Sequence, residues 1–320
     1  MGTALLLLAV VAAGVLPSGE TASRPPAGRP VALVTAETQN ALLAVSLQDG
    51  RVMKRVRLPA DPQNIEVGNG GTAVLMSTEA GAVSLVDWRS LRVIKILRGF
   101  RSPHIAAKAP DGEWVYVSDD ATGILSVIEL ARAHVVARLY VGLGAHHMGV
   151  SPDEHRLWIA LGERARTIVI VGLRRPDRPR VVKRFDPGFE VHDLAFSPSG
   201  RTVWVTTSTR RSVEVFNART ARRLYSVPAG APPQHVVFSR RFAYVASGYD
   251  GRIEMANART GRVLRSARVP YGSFNLATAG GLVVTSSLLR GTVTELSNRL
   301  HVIRTKKVAP AARDVALVFW

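Results

Sequence analysis

Short apolar runs alternate with polar turns along most of this chain, and the alternation repeats on a period near forty residues. Each unit holds a first strand that turns inward, a polar turn, a Tyr/Trp/Val-rich second strand, an alternating third strand, and a basic turn into a fourth. Aligning the first inward position of each unit gives Ile65, Ala106, Met148, Leu194, Val236, Leu276 and Val315, at intervals of 41, 42, 46, 42, 40 and 39 residues. Units of this length filled by four strands predict an all-β fold, a seven-bladed β-propeller.

The two ends of the pattern complete each other. Val31-Ala-Leu-Val-Thr35 matches second strands such as Trp114-Val-Tyr-Val-Ser118, so the first unit lacks its own first strand. Arg313-Asp-Val-Ala-Leu-Val318 matches first strands such as His192-Asp-Leu-Ala-Phe196, and only Phe319 and Trp320 follow it. The last segment is therefore expected to become the innermost strand of blade one. Closing the ring this way removes open sheet edges that would otherwise pair with other chains. The fourth strands, such as Val93-Ile-Lys-Ile-Leu97 and Val181-Val-Lys-Arg-Phe185, grow rich in Lys and Arg, as suits edges facing water. No long segment carries a helical period.

One unit is specific enough to carry a resemblance. Ala109-Pro-Asp-Gly112, Val115-Tyr-Val-Ser-Asp119 and Leu125-Ser-Val-Ile-Glu129 together resemble the YVTN-type β-propeller repeat, and Ser151-Pro-Asp153 and Ser197-Pro-Ser-Gly200 repeat its turn. The turn is lost in blades six and seven, where Ser239-Arg-Arg241 and Ala279-Gly-Gly281 stand. Proteins with this repeat are mostly exported bacterial or archaeal propellers, some of the cell envelope and some related to the haem d1-binding propeller of nitrite reductases. The resemblance thus implies export and a binding or scaffold role. Its alternative is an enzyme or cofactor carrier, lactone hydrolase-like or haem-handling.

The N-terminus fits export. An uninterrupted apolar run from Ala4 to Leu16, then Pro17-Ser-Gly19 and a small-residue stretch, predicts a signal peptide over 1–23. A Pro-rich linker over 24–30 precedes a propeller over 31–320. Thirteen apolar residues fall short of the roughly 20 that span a bilayer as a helix. Cysteine is absent, which excludes disulfides, a thiol nucleophile and thiolate metal sites. The expected location is the periplasm, cell envelope or medium.

Strand order sorts the loops onto two faces. Turns from first to second and from third to fourth strands lie on one, the turn face; the starts of first strands lie on the other, the mouth face. The chain has 42 Lys plus Arg against 24 Asp plus Glu, a net charge of +18, and 36 of the 42 are Arg. Many arginines fall on the turn face, among them Arg174, Arg175, Arg222, Arg223, Arg240 and Arg241. Such a face suits an anionic surface or polyanion, and equally a merely solvated exterior. Aromatics do not interleave with these arginines, so nucleic acid is not the favoured partner.

At the mouth face the residues just before each first strand turns inward form two rings. The first reads Gln63, His104, His146, His192, Gln234, Phe274 and Arg313; the second reads Asn64, Ile105, His147, Asp193, His235, Asn275 and Asp314. Five of the chain's eight histidines fall in these rings, at the expected mouth of the central channel. Three readings stay open. Imidazole and carboxylate together can hold a divalent metal, with His147, Asp193 and His235 as the candidate ligands. They can bind a cofactor or small acidic molecule, with Arg313 as anion partner. Or the ring satisfies main-chain groups where blades meet. No nucleophile elbow, zinc-protease motif, phosphate loop or dinucleotide fingerprint occurs, which argues against an enzyme. The pair Asp119–Asp120 is read as an exposed, solvated turn. Neither a cofactor nor a partner is named by the sequence; the partner class is an envelope protein, a small ligand or a polyanion.

Overall fold

The computed structural model describes residues 28–68, 70–162 and 166–320. The expected signal peptide, and the linker as far as residue 27, lie outside the described residues. Twenty-eight strands, β1 to β28 in chain order, form seven four-stranded antiparallel sheets among the described residues. The innermost strands are β4 (Pro62–Val67), β8 (Pro103–Lys108), β12 (Ala145–Val150), β16 (Val191–Phe196), β20 (His235–Phe238), β24 (Ser273–Ala279) and β28 (Ala312–Phe319). The molecule is an all-β, seven-bladed propeller. Blade one runs β28, β1 (Pro30–Ala36), β2 (Ala41–Ser46), β3 (Val52–Arg57), so the C-terminal strand closes the ring against the N-terminal one. No described helix is long and apolar enough to cross a membrane.

Burial follows strand order. Second and third strands are buried on both faces, because each blade lies between two others; β2 and β6 (Ala82–Asp87) are almost wholly buried. Outer strands such as β7 (Arg92–Leu97) and β23 (Val263–Arg268) are mostly exposed. Large aromatics fill the wedge-shaped seams. Trp158 of blade four meets Phe185, Phe196 and Phe216 edge-on at 5.5, 6.1 and 6.4 Å, and Trp204 meets Phe238 at 5.4 Å.

The basic turns have a local cause. Asp87, Asn217 and Asn257 each end a third strand and accept two main-chain N–H groups with one side-chain oxygen, from Arg89 and Ser90, Arg219 and Thr220, and Arg259 and Thr260. This Asx turn holds the residue two places on in the open. Arginine repeats there, and with it the charge of the turn face.

Most innermost strands depart from regular pairing at the two rings. The register shifts between Pro103 and Ala106, Ala145 and Met148, and Val191 and Leu194, so the paired ladder skips His104 and Ile105, His146 and His147, His192 and Asp193. A bulge re-aims side chains that strict alternation would send to opposite faces. Here it lets two successive residues of one strand serve the mouth.

Candidate metal centre at the channel mouth

The central channel has a volume of about 660 Å³ and is lined by all seven innermost strands. His147, Asp193, His235, Asn64 and Asp314 of the second ring border it, with Glu66 and Lys108 further along. Four ring residues tie one blade to the next. Asn64 Nδ2 donates to the His104 carbonyl at 2.7 Å, and Asn275 Nδ2 to the Arg313 carbonyl at 3.0 Å. Asp314 Oδ2 accepts from the Ile65 N–H at 3.0 Å, and Asp193 Oδ2 from the Val236 N–H at 3.2 Å. Hydroxyls one strand out add to these ties: Thr35, Ser118, Thr206 and Ser286 donate to the carbonyls of Gln63, His146, Gln234 and Arg313. Arg313 is turned aside, 3.5 Å from the Glu37 carboxylate.

The histidines do something else. His104, His146 and His147 are buried, and His192 and His235 are partly buried. The rings of His104 and His146 stack with centroids 3.8 Å apart, His147 stands edge-on to both, and His192 lies 4.7 Å from His147. His147 Nδ1 sits 3.3 Å from Asp193 Oδ1 and His235 Nε2 sits 3.6 Å from Asp193 Oδ2. The first of these contacts lacks hydrogen-bond geometry, and Nδ1 of His147 and Nδ1 of His235 are both buried with no hydrogen-bond partner. Donor atoms of His147, Asp193 and His235 all lie within 4.8 Å of one another, and so do those of His104, His146 and His147. The ring alignment placed the first triad among the candidate ligands; the second is apparent only in three dimensions.

Electrostatics favour metal-ready forms. Burial, with the neighbouring His146 and His147, holds His104 well below the usual imidazole range. Burial also lowers His147, against the opposing pull of Asp193. Both are neutral near pH 7, the state in which imidazole ligates. Burial pushes Asp193 up, but His235, His147 and His192 outweigh it and keep the carboxyl below the usual carboxylate range, hence ionised.

Further down the channel, burial drives Glu66 up to about 7, with Lys108 opposing and Asp314 adding. The folded chain therefore keeps a proton that the unfolded chain releases above about pH 4.5, and stability falls as pH rises to about 7. Relative to wild type, Glu66→Gln is expected to gain about 2 to 3 kcal/mol on going from pH 5 to pH 8. Denaturant unfolding at the two pH values measures it; parallel curves for the two proteins would refute the assignment.

Two expectations change. Asp119 is buried, not solvated: its carboxylate accepts the N–H groups of Arg101, Ser102 and Thr122 at 2.7, 3.2 and 3.1 Å. Asp120 stands behind the mouth, its Oδ2 2.7 Å from His146 Nδ1. An acidic turn in the sequence does not reveal which ring it faces.

On the turn face the arginines divide. Arg174 and Arg175 join Arg156, Arg178, Arg180 and Arg219 around a cleft of about 970 Å³ between blades four and five. Arg156 Nη1 is fixed there by the carbonyls of Ala218 and Arg219 at 3.0 and 3.2 Å, while Asp177 engages Arg175 and Arg178. Arg222 and Arg223 belong to blade five, and Arg223 is tied to the buried Glu214 at 2.5 Å. Arg240 and Arg241 are exposed on blade six.

No known protein-family pattern and no curated protein sequence matches this chain. Solved structures do. A functionally unknown protein of Desulfotomaculum acetoxidans aligns over 90% of this chain and 99% of its own, with 14% identity and a TM-score of 0.79. Apo AztD from Citrobacter koseri aligns over 92% and 98%, with 12% identity and a TM-score of 0.72. The dihydro-heme d1 dehydrogenase NirN, in complex with DHE, aligns over 92% and 66%, with 17% identity and a TM-score of 0.65. What the likeness shows is the fold. Function has to come from the mouth itself.

Proposed function

We propose that this chain is an exported, YVTN-type binding propeller that holds a divalent transition-metal ion at its channel mouth. The observation that carries the reading is the convergence of His147, Asp193 and His235, from three consecutive blades, whose donor atoms lie within 4.8 Å of one another. Nitrogen donors with a single carboxylate suit Zn(II), Cu(II) or Ni(II) better than Ca(II) or Mg(II). Three ligands leave a coordination position for water or for a partner's side chain, which fits a carrier or receptor.

Titration of metal-free protein with Zn(II) is the test. Calorimetry is expected to show binding that His235→Ala weakens at least 100-fold and that Mg(II) at millimolar concentration does not compete away. Equal Zn(II) affinity in wild type and in a His235→Ala, Asp193→Asn double variant would end the reading.

The arginine cleft supplies the second surface, suited to a polyanion of the envelope. Two carboxylate-engaged arginines face four that have no carboxylate within 4.0 Å among the described residues, Arg156, Arg174, Arg180 and Arg219. Binding of tripolyphosphate is expected to fall steeply between about 50 and 200 mM salt. Salt-insensitive binding, or none at low salt, would remove this part.

A further inference from the structure

The outer edge of the molecule carries a pattern that the mouth does not use. In every blade the ladder between third and fourth strands slips by one residue near the start of the fourth. Val45 and Ala44 pair with Val52 and Lys54, Val86 and Leu85 pair with Val93 and Lys95, and the same step recurs in the other five blades. The residue left over at the bulge is Met53, Ile94, Val182, Leu224, Leu264 or Ile303 in six blades, and the partly buried Val136 in blade three. All seven are apolar. The first six are between 44% and 54% exposed.

A bulge on an edge strand has a structural use, because it twists the edge away from pairing with another chain. That use does not call for an apolar side chain, and an edge in water is better guarded by lysine. The location of the bulges supplies the missing reason. Turns from third to fourth strands lie on the turn face, and each bulge is the second or third residue of its fourth strand. At roughly 3.3 Å per residue, every one lies within about 7 Å of the strand's start at that face.

Positive charge accompanies the apolar belt. Two places before the bulge stands Arg51, Arg92, Arg180, Arg222 or Arg262 in five blades, and His134 or His301 in the other two. Among the described residues, only Arg51 of these arginines has a carboxylate within 4.0 Å, that of Asp49. Trp320 follows β28 onto the same face, where it is 37% exposed and exchanges main-chain hydrogen bonds with Arg29. Tryptophan favours the boundary between water and hydrocarbon, where its ring is buried and its N–H stays wet. A polyanion in solution engages only the charge of such a face. A bilayer with anionic headgroups engages the apolar belt as well, since interfacial apolar groups sink about 5–10 Å into the boundary of headgroup and acyl chain.

We propose that the turn face docks on an anionic phospholipid bilayer, with the bulged apolar residues entering the headgroup layer and the channel mouth facing away from it. The inference rests on the reading of the turn face as an anion-binding surface and adds the apolar belt, which that reading leaves unused. It is independent of the metal position.

Co-sedimentation of the full chain with vesicles of phosphatidylglycerol and phosphatidylcholine in equal parts, against vesicles of phosphatidylcholine alone, is the test. Partition onto the mixed vesicles is expected to be tighter by about tenfold or more. An Ile94→Ser, Leu264→Ser, Ile303→Ser triple variant, its fold checked by circular dichroism, is expected to lose about tenfold or more of that partition. It should bind tripolyphosphate as the wild type does. Wild type that binds tripolyphosphate but no vesicles would overturn the docking and leave the polyanion reading in place. Equal binding to both vesicle types, or binding unchanged in the triple variant, would also overturn it, because another segment or charge alone would then hold the chain there. Anion-selective partition that the triple variant loses, in a protein that binds no tripolyphosphate, would support the docking and end the reading of the cleft.

Discussion

A chain ending at Ala311 is expected not to form the ring. It loses β28, the innermost strand of blade one, and with it six pairings to β1, from Pro30 with Phe319 to Ala36 with Ala312. Val315 and Val318 are 3% and 4% exposed, and each is worth about 1.5–3 kcal/mol of burial. Asp314, which holds the Ile65 N–H of blade two, goes as well, and so does the Arg313 carbonyl that Asn275 and Ser286 of blade seven bind. Their sum approaches the whole stability of an ordinary domain, about 5–15 kcal/mol. The exposed edge of β1 would then invite pairing between chains. Thermal melting and gel filtration of the truncated protein should show aggregation and no cooperative transition, and a peptide covering 312–320 added in trans should restore part of it. A truncated monomer that melts at the full-length midpoint would contradict this account of closure.

Asp193→Ala should be the most damaging single change at the mouth. The carboxylate is buried and serves three groups, the Val236 N–H, His147 and His235. Removing it strands a main-chain donor and two imidazoles, a loss of about 3–5 kcal/mol by analogy with broken buried pairs. Asp193→Asn separates the roles. Its amide oxygen can still accept from Val236, so the stability loss should shrink to about 0.5–1.5 kcal/mol. Zn(II) affinity should nevertheless fall beyond the 10–100-fold typical of outer-sphere partners. Acid unfolding gives an independent readout. Because the folded-state carboxyl titrates below its unfolded value, it stabilises the fold above about pH 4 and that share is lost as pH falls. The Asn variant should lack that part of the acid limb. Wild-type Zn(II) affinity in the Asn variant would show that the carboxylate is no ligand.

Much of this molecule can be read from its sequence because repetition is a strong signal. The ring alignment located Ile65, Ala106, Met148, Leu194, Val236, Leu276 and Val315, and all seven line the channel. Closure by the C-terminal strand followed from two fragments that lacked each other. The mouth was legible only as a list of positions. Two adjacent residues on a regular strand face opposite ways, so His146 and His147 would not share a site without the bulge in β12, and no residue type announces that bulge. Asp120 reads as a solvated acid in the sequence yet meets His146, because a turn's sequence does not say what it packs against. The division of the arginines depended on side-chain partners such as Glu214 and Asp177, which are distant from or ambiguous in the linear pattern.

The second ring has a consequence for how such proteins change over time. Its stations hold Asp, Asn, Ile, His, Asp, His and Asn around one nearly repeated backbone. At some stations the side chain is a bolt to the next blade, as at Asn64 and Asp314; at others it is free of that duty, as at His147. The ring behaves like a turret whose stations can be re-tooled one at a time. Where a neighbouring hydroxyl holds the same seam, as Thr35 does beside Asp314, exchanging a bolt for a ligand leaves that seam one tie. Chemistry at the mouth can thus migrate from blade to blade while the ring beneath it stays the same.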